Sequence, residues 1–144
     1  MHRAGKAYGE LHSQHDNERN NKKMRQDQWY VKSLLNAKTL QSKVIAVDFD
    51  GCLCKNDYPD IGEANTEVID ELLQEYRNGA KLILWTCRAG DYLQKAEDWC
   101  RDHNIIFEAV NMNIPEHIEH FGGDTRKVYA DEYWDDRAVK KPDC

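Results

Sequence analysis

Two acidic pairs stand out by their spacing: Asp48 and Asp50, one phenylalanine apart and followed by Gly51, and the adjacent Asp135 and Asp136. Carboxylates two residues apart point the same way on a continuing strand. Here a glycine follows, permitting backbone geometry that other residues resist, so Asp50 can swing over a pocket at the strand end. In that arrangement the first acid can attack phosphorus while the second protonates a leaving oxygen. Three or four carboxylates in one crevice repel each other unless a cation sits among them, and hard Mg²⁺ with its oxygen ligands suits such a site. Phosphoryl transfer also needs positive charge around the transferred oxygens, which a metal, a lysine and hydroxyl or amide donors supply.

These groups need strand ends to hold them. Val44-Ile45-Ala46-Val47 is a short apolar run ending at Asp48, the pattern of a buried strand meeting a turn. From Glu63 to Asn78, Val68, Ile69, Leu72, Leu73 and Tyr76 recur at helical spacing, and Gly79 stops the helix. Lys81–Trp85 reads as a second buried strand with Thr86-Cys87-Arg88 at its end. Asp91–His103 reads as a helix, Ile105–Val110 as a third strand and Ile114–Phe121 as a short helix broken by Gly122-Gly123. Lys127–Ala130 and Tyr133–Asp135 read as strand material. Alternation of this kind predicts an α/β chain: a parallel sheet with right-handed crossovers and helices on both faces. Reactive groups of such sheets collect at the carboxyl ends of the strands, and the polar clusters Asp48/Asp50, Thr86/Arg88 and Asp135/Asp136 all fall there.

The rest of the chain frames this unit. Its 144 residues suffice for one domain with a real core, and the polarity is uneven. Residues 1–42 form a polar N-terminal extension, expected to be a loose tail from Gly5 to Asn21 and helical beyond it; residues 43–144 form the domain. Met24, Trp29, Leu34 and Leu35 form the candidate stripe of that helix, and Lys22, Lys23 and Arg25 beside Trp29 and Tyr30 form a small basic cluster. The net charge of −6 argues against a general nucleic-acid coat. No apolar run approaches the roughly 18 residues of a membrane span. The five cysteines lack a disulfide-scaffold spacing and read as reduced thiols of a cytoplasmic protein, Cys52, Cys54 and Cys87 as small buried ones. Glu116, His117 and His120 read as a solvated helical turn.

At this point the motifs resemble a family. Val44–Leu53 (VIAVDFDGCL) is similar to the first motif of haloacid dehalogenase (HAD) superfamily phosphatases, and Leu82–Arg88 (LILWTCR) to the second. Lys127 fits the lysine of the third motif, with Arg126 its competitor, and Tyr133–Arg137 (YWDDR) resembles the fourth. The resemblance covers about residues 43–137 and is to compact, often phage-associated members; the DDR ending is also similar to deoxyribonucleotidases and to the phosphatase part of polynucleotide kinase. It implies a Rossmann-like sheet (the HAD-like fold) and a Mg²⁺-dependent phosphomonoester hydrolase working through an aspartyl-phosphate, on nucleotides or nucleic-acid 3′-phosphates.

By the resemblance, Asp48 is the nucleophile and a metal ligand. Asp50 is the general acid/base, with its carbonyl on the metal. Thr86 hydrogen-bonds the phosphoryl group, Lys127 neutralises charge, and Asp136, supported by Asp135, binds Mg²⁺. Apart from the resemblance, Arg88 reads either as a grip on substrate phosphate or as the partner of an acid such as Asp91, and Tyr58 reads as a substrate contact. Cys52 stands where the motif commonly has Thr. Only 35 residues separate Asp50 from Thr86 and 40 separate Thr86 from Lys127, so neither gap holds a cap domain. The loop Lys55–Gly62 is left as a small flap. The alternative readings are a nucleic-acid-associated accessory protein using residues 20–40, or a catalytically silent phosphate-binding module.

Overall fold

Strand β1, Val44–Val47, is buried on both faces, and its side chains alternate between two apolar clusters. Ile45 and Val47 join one cluster with Leu82, Leu84, Ile69, Leu72, Ala96 and Cys100; Val44 and Ala46 join the other with Ile83, Ala109, Ile114 and Val128. A run of four apolar residues therefore marks a strand covered on both sides. Burying each such Ile or Leu side chain contributes about 1.5–3 kcal/mol.

The computed structural model describes residues 5–142 and Cys144, and the chain divides after Lys38 into two units. In the second unit the elements run β1, α2 (Thr66–Arg77), β2 (Lys81–Leu84), α3 (Gly90–Asp102), β3 (Ala109–Val110), α4 (Pro115–Phe121) and β4 (Glu132–Trp134). All pairings are parallel, in the order β3-β2-β1-β4. Helices α2 and α3 supply Ile69, Leu72, Ala96 and Cys100 to one face, while Ile114 at the start of α4 packs on the other. This is the expected Rossmann-like α/β sheet, reversing direction between β1 and β4. The amino ends are tied as well: Lys43 pairs with Glu75 at 2.9 Å and Glu132 at 2.7 Å, and Asp131 accepts a hydrogen bond from the Val44 amide at 2.7 Å.

The last two strands differ from expectation. β3 keeps only Ala109 and Val110 of the stretch 105–110, because Ile105 turns into the core beneath α3 instead of extending. Lys127–Ala130 is not strand; Val128 is buried and ladder pairing with β1 starts at Glu132. Helix α4 ends as expected on Gly122, in the left-handed region at φ 80°. His117 is not part of a solvated turn but is buried at 4% exposure, and Cys87 is exposed rather than buried.

Helix α1 runs from Gly5 to Gln41, and its residues up to Lys38 belong to the first unit. Residues 5–21, expected as a loose tail, are helical: no proline interrupts them, and Glu, Lys, Gln, Arg and Ala are good helix formers even without an apolar period. Of the expected stripe, Trp29, Leu34 and Leu35 are exposed, and the Met24 side chain lies outside the described residues. Among the described residues, no helix is long and apolar enough to cross a membrane.

Candidate active site

Parallel register brings the chemistry together. Val47 stands beside Leu84 on one side and Trp134 on the other, so the residues that follow these three leave the sheet at one level. The ladder continues past the strand ends: the Asp48 amide donates to the Trp134 carbonyl at 2.8 Å and the Trp85 amide to that of Val47 at 2.9 Å. Asp48, Thr86 and Asp135 therefore emerge at the carboxyl edge where the sheet changes direction, the crevice in which open α/β sheets bind ligands.

The turn after β1 is built around Phe49. Its ring is fully buried and meets Trp99 edge-on at 5.3 Å, while its carbonyl accepts amides from Cys52 and Leu53. With Phe49 pointing inward, Asp48 and Asp50 on either side of it both face the cleft. Gly51 closes the turn at φ 82°, and an added Cβ there would lie 2.7 Å from Cγ of Asp136. Only a residue without a side chain lets the turn and the acidic pair approach this closely.

One oxygen each from Asp48, Asp135 and Asp136 lie within 4.8 Å of one another. Desolvation pushes the half-buried Asp48 carboxyl up to about 6; the hydrogen bond from the Phe49 amide opposes this, and the neighbouring Asp135 and Asp136 charges reinforce it. Asp135 also accepts the Arg137 amide at 2.8 Å. A closely spaced, oxygen-only acidic donor set suits a hard divalent cation. The cleft beside it encloses about 810 Å³.

The expected residues divide into those the fold brings together and those it does not. Asp48, Asp50, Tyr58, Thr86, Asp135 and Asp136 all line the cleft. The Asp50 carboxylate, however, is not one of the group Asp48, Asp135 and Asp136, and is held by Arg88. Arg88 also lines the cleft, and of its two readings the structure shows the pairing with an acid, with Asp50 rather than Asp91 as the partner. Its side chain is 1% exposed, and Nε and Nη2 fork onto both Asp50 oxygens at 2.8 and 2.7 Å. The remaining donors reach the carbonyls of Pro59, Tyr92 and Asp60 at 3.1, 3.4 and 2.6 Å. No N–H is left over for a substrate.

Lys127 stands apart from these residues. Neither it nor Arg126 lines the cleft; the Lys127 ammonium lies over the Tyr133 ring at 5.7 Å, and its carbonyl is held by the Thr125 hydroxyl at 2.7 Å. Arg137 instead supplies a cation on the cleft wall.

Sequence reasoning missed Asn111, Asn56 and Trp85 as cleft residues. Asn111 directly follows β3, so the strand-end rule could have found it. It sits at φ 52°, a region asparagine tolerates, and its Oδ1 accepts the Thr86 amide at 2.8 Å. The Thr86 hydroxyl accepts the Arg88 amide at 3.1 Å, so both contacts fix the turn that follows β2.

No family model and no curated protein matches the chain. Among solved structures, a conserved protein from Bacteroides thetaiotaomicron is 40% identical over 69% of this chain and 79% of that one, with a TM-score of 0.61. At that identity and coverage the chain belongs to the same family as this conserved Bacteroides protein.

Proposed function

We propose that the chain is a Mg²⁺-dependent phosphomonoester hydrolase of the HAD superfamily, with Asp48 as nucleophile. The observation that carries this reading is the approach of Asp48, Asp135 and Asp136 to within 4.8 Å at the carboxyl edge, beside Thr86 and Asp50. Oxygens of Asp48, Asp135 and Asp136, with the Asp50 carbonyl, would hold the ion. When bound, Mg²⁺ neutralises the acidic cluster and the phosphoryl oxygens.

Asp48, half-buried at the sheet edge, attacks phosphorus with one carboxylate oxygen as the bond from phosphorus to the leaving oxygen breaks. The Asp50 carboxyl gives its proton to that leaving oxygen. In the second step it takes a proton from water, which adds to the phosphorus of the aspartyl-phosphate and releases Asp48 and inorganic phosphate. Thr86 donates its hydroxyl to the phosphoryl group and Arg137 adds positive charge; what supports both roles is that the two residues line the cleft.

With no cap domain over it, a cleft of about 810 Å³ takes a nucleotide-sized group or the end of a polymer. We therefore favour nucleotides or nucleic-acid 3′-phosphates as substrates. Five free cysteines accord with a reducing, cytoplasmic setting.

Phosphate release from a panel of phosphomonoesters, including nucleotides and 3′-phosphorylated oligonucleotides, tests the reading. Activity is expected with Mg²⁺, to vanish with chelator and to fall by at least about 10³-fold in Asp48→Asn. A wild-type protein inert on the whole panel with Mg²⁺ would overturn it.

A further inference from the structure

Arg88 is buried at the base of the cleft and joins three pieces of chain. Its fork takes both oxygens of Asp50; Nη1 and Nη2 take the carbonyls of Pro59 and Asp60; and Nη1 also reaches the Tyr92 carbonyl in α3. The guanidinium also lies 5.0 Å from the Phe49 ring centre and 5.2 Å from that of Tyr58. Phe49 and Asp50 belong to the turn that carries the nucleophile. Tyr58, Pro59 and Asp60 form the tip of the loop 55–62, whose base is closed by the Lys55 amide on the Glu63 carbonyl and the Cys54–Ala64 bridge. That tip exposes Tyr58 on the cleft wall, in contact with Tyr92 at 5.7 Å.

A guanidinium is a rigid planar fork, so its donors cannot move independently. A shift of the loop tip by a fraction of an ångström must rotate the plane or break a bond at Asp50. The ion pair is also nearly out of water, and a buried charge stripped of its partner is strongly disfavoured.

We infer that Arg88 is a positioning residue that couples the loop 55–62 to the Asp50 carboxylate, so that contact of a substrate with Tyr58 sets the aim of the acid. The catalytic half of this inference rests on the phosphatase reading; the mechanical half does not. Arg88 itself touches no substrate. Its work is done through Asp50, the group that must meet the leaving oxygen at hydrogen-bond distance.

Two measurements test it. The first compares p-nitrophenyl phosphate, whose leaving group needs no proton, with glycerol phosphate, whose alkoxide does. Arg88→Lys keeps the charge and loses the fork. It is expected to slow the first step, read as the pre-steady-state burst of released alcohol or phenol, by about 10²-fold on glycerol phosphate and by less than about 5-fold on p-nitrophenyl phosphate, as in Asp50→Asn. The double variant is expected to be no worse than Asp50→Asn alone. An equal loss on both substrates would mean that Arg88 merely holds the fold, and would overturn the catalytic half while leaving the phosphatase reading intact.

The second measurement is amide hydrogen exchange in Asp50→Asn, which removes one acceptor from the fork. Exchange at residues 55–61 is expected to quicken at least about 5-fold, with α2 unchanged. Unchanged loop exchange would refute the coupling whether or not the protein hydrolyses anything. A wild type inert on both esters would sink the phosphatase reading, and this second measurement would still decide the mechanical link.

Discussion

The Cα of Gly51 faces the carboxylate of Asp136 so closely that a methyl group at position 51 would lie 2.7 Å from the carboxyl carbon. One turn thus places Asp50 and leaves room for the acidic pair of the neighbouring strand. Gly51→Ala must displace Asp136 and hold an alanine at φ 82°. It is expected to cost at least about 1 kcal/mol of stability and to abolish stabilisation by Mg²⁺. Thermal unfolding with and without the ion checks both; a variant that still gains stability from Mg²⁺ as the wild type does would contradict the placement of Asp136.

The raised pKa of Asp48 sets a direction for pH dependence. Its carboxyl goes from an ordinary 3.8 to about 6 because burial penalises the charge. The folded metal-free protein therefore binds this proton more tightly than the unfolded chain. The stability gained is complete below about 3.8 and is lost as pH rises through about 6. Binding of a cation requires the ionised form. The shift in Tm on adding Mg²⁺ is thus expected to be small at pH 5 and to grow to a plateau above pH 7. A shift equal at the two pH values would show that Asp48 does not ligate.

Arg137 lines the cleft whereas Lys127 lies over the Tyr133 ring. Arg137→Ala is accordingly expected to reduce kcat/KM for phosphomonoesters by about 10- to 100-fold, the scale of losing one charged contact to a phosphoryl group. Lys127→Ala is expected to change it by less than about 3-fold, since an exposed cation–π contact contributes only about 0.5–1 kcal/mol. Steady-state kinetics of the two variants side by side decide the matter, and the reverse ranking would restore the third-motif role to Lys127.

His117 is buried against Phe121 and Tyr129, and among the described residues neither ring nitrogen has a hydrogen-bond partner. Desolvation lowers its pKa below the ordinary 6.5, so the unfolded chain takes up the proton first. The neutral ring is tolerated above about 6.5, and the folded state loses stability as pH falls below it. His117→Leu is expected to raise stability at pH 7 by about 1 kcal/mol through removal of unpaired polar atoms, and by more at pH 5.5. Chemical denaturation at the two pH values measures this; a destabilised leucine variant would mean that the ring has a hydrogen-bond partner after all.

Short-range features were legible in the residues themselves. The four-residue run Val44–Val47 has to be strand buried on both faces, because no other element of that length hides every side chain. Gly79 and Gly122 end α2 and α4 because they alone take φ of 97° and 80° without strain. Alternation of such elements dictates a parallel sheet, and a parallel sheet collects strand-end residues on one edge. Asp48, Thr86, Asp135 and Asp136 could therefore be placed together from one dimension.

Side-chain direction at that edge could not. Whether Arg88 faced a ligand or an acid depended on where the loop 55–62 folds back, a contact between residues 28 and 29 apart that no local pattern encodes. The position of Lys127 has a related cause: it depends on where β4 begins, and that is set by pairing with Ile45 rather than by the apolar residues at 128–130. His117 was misread because its ring is covered by Phe121 and by the distant Tyr129, and a seven-residue helix is too short to show which side is covered. Composition and periodicity determine which segments are covered and where they stop; only the packed chain decides which partner each polar group meets, because those meetings join residues that the sequence keeps far apart.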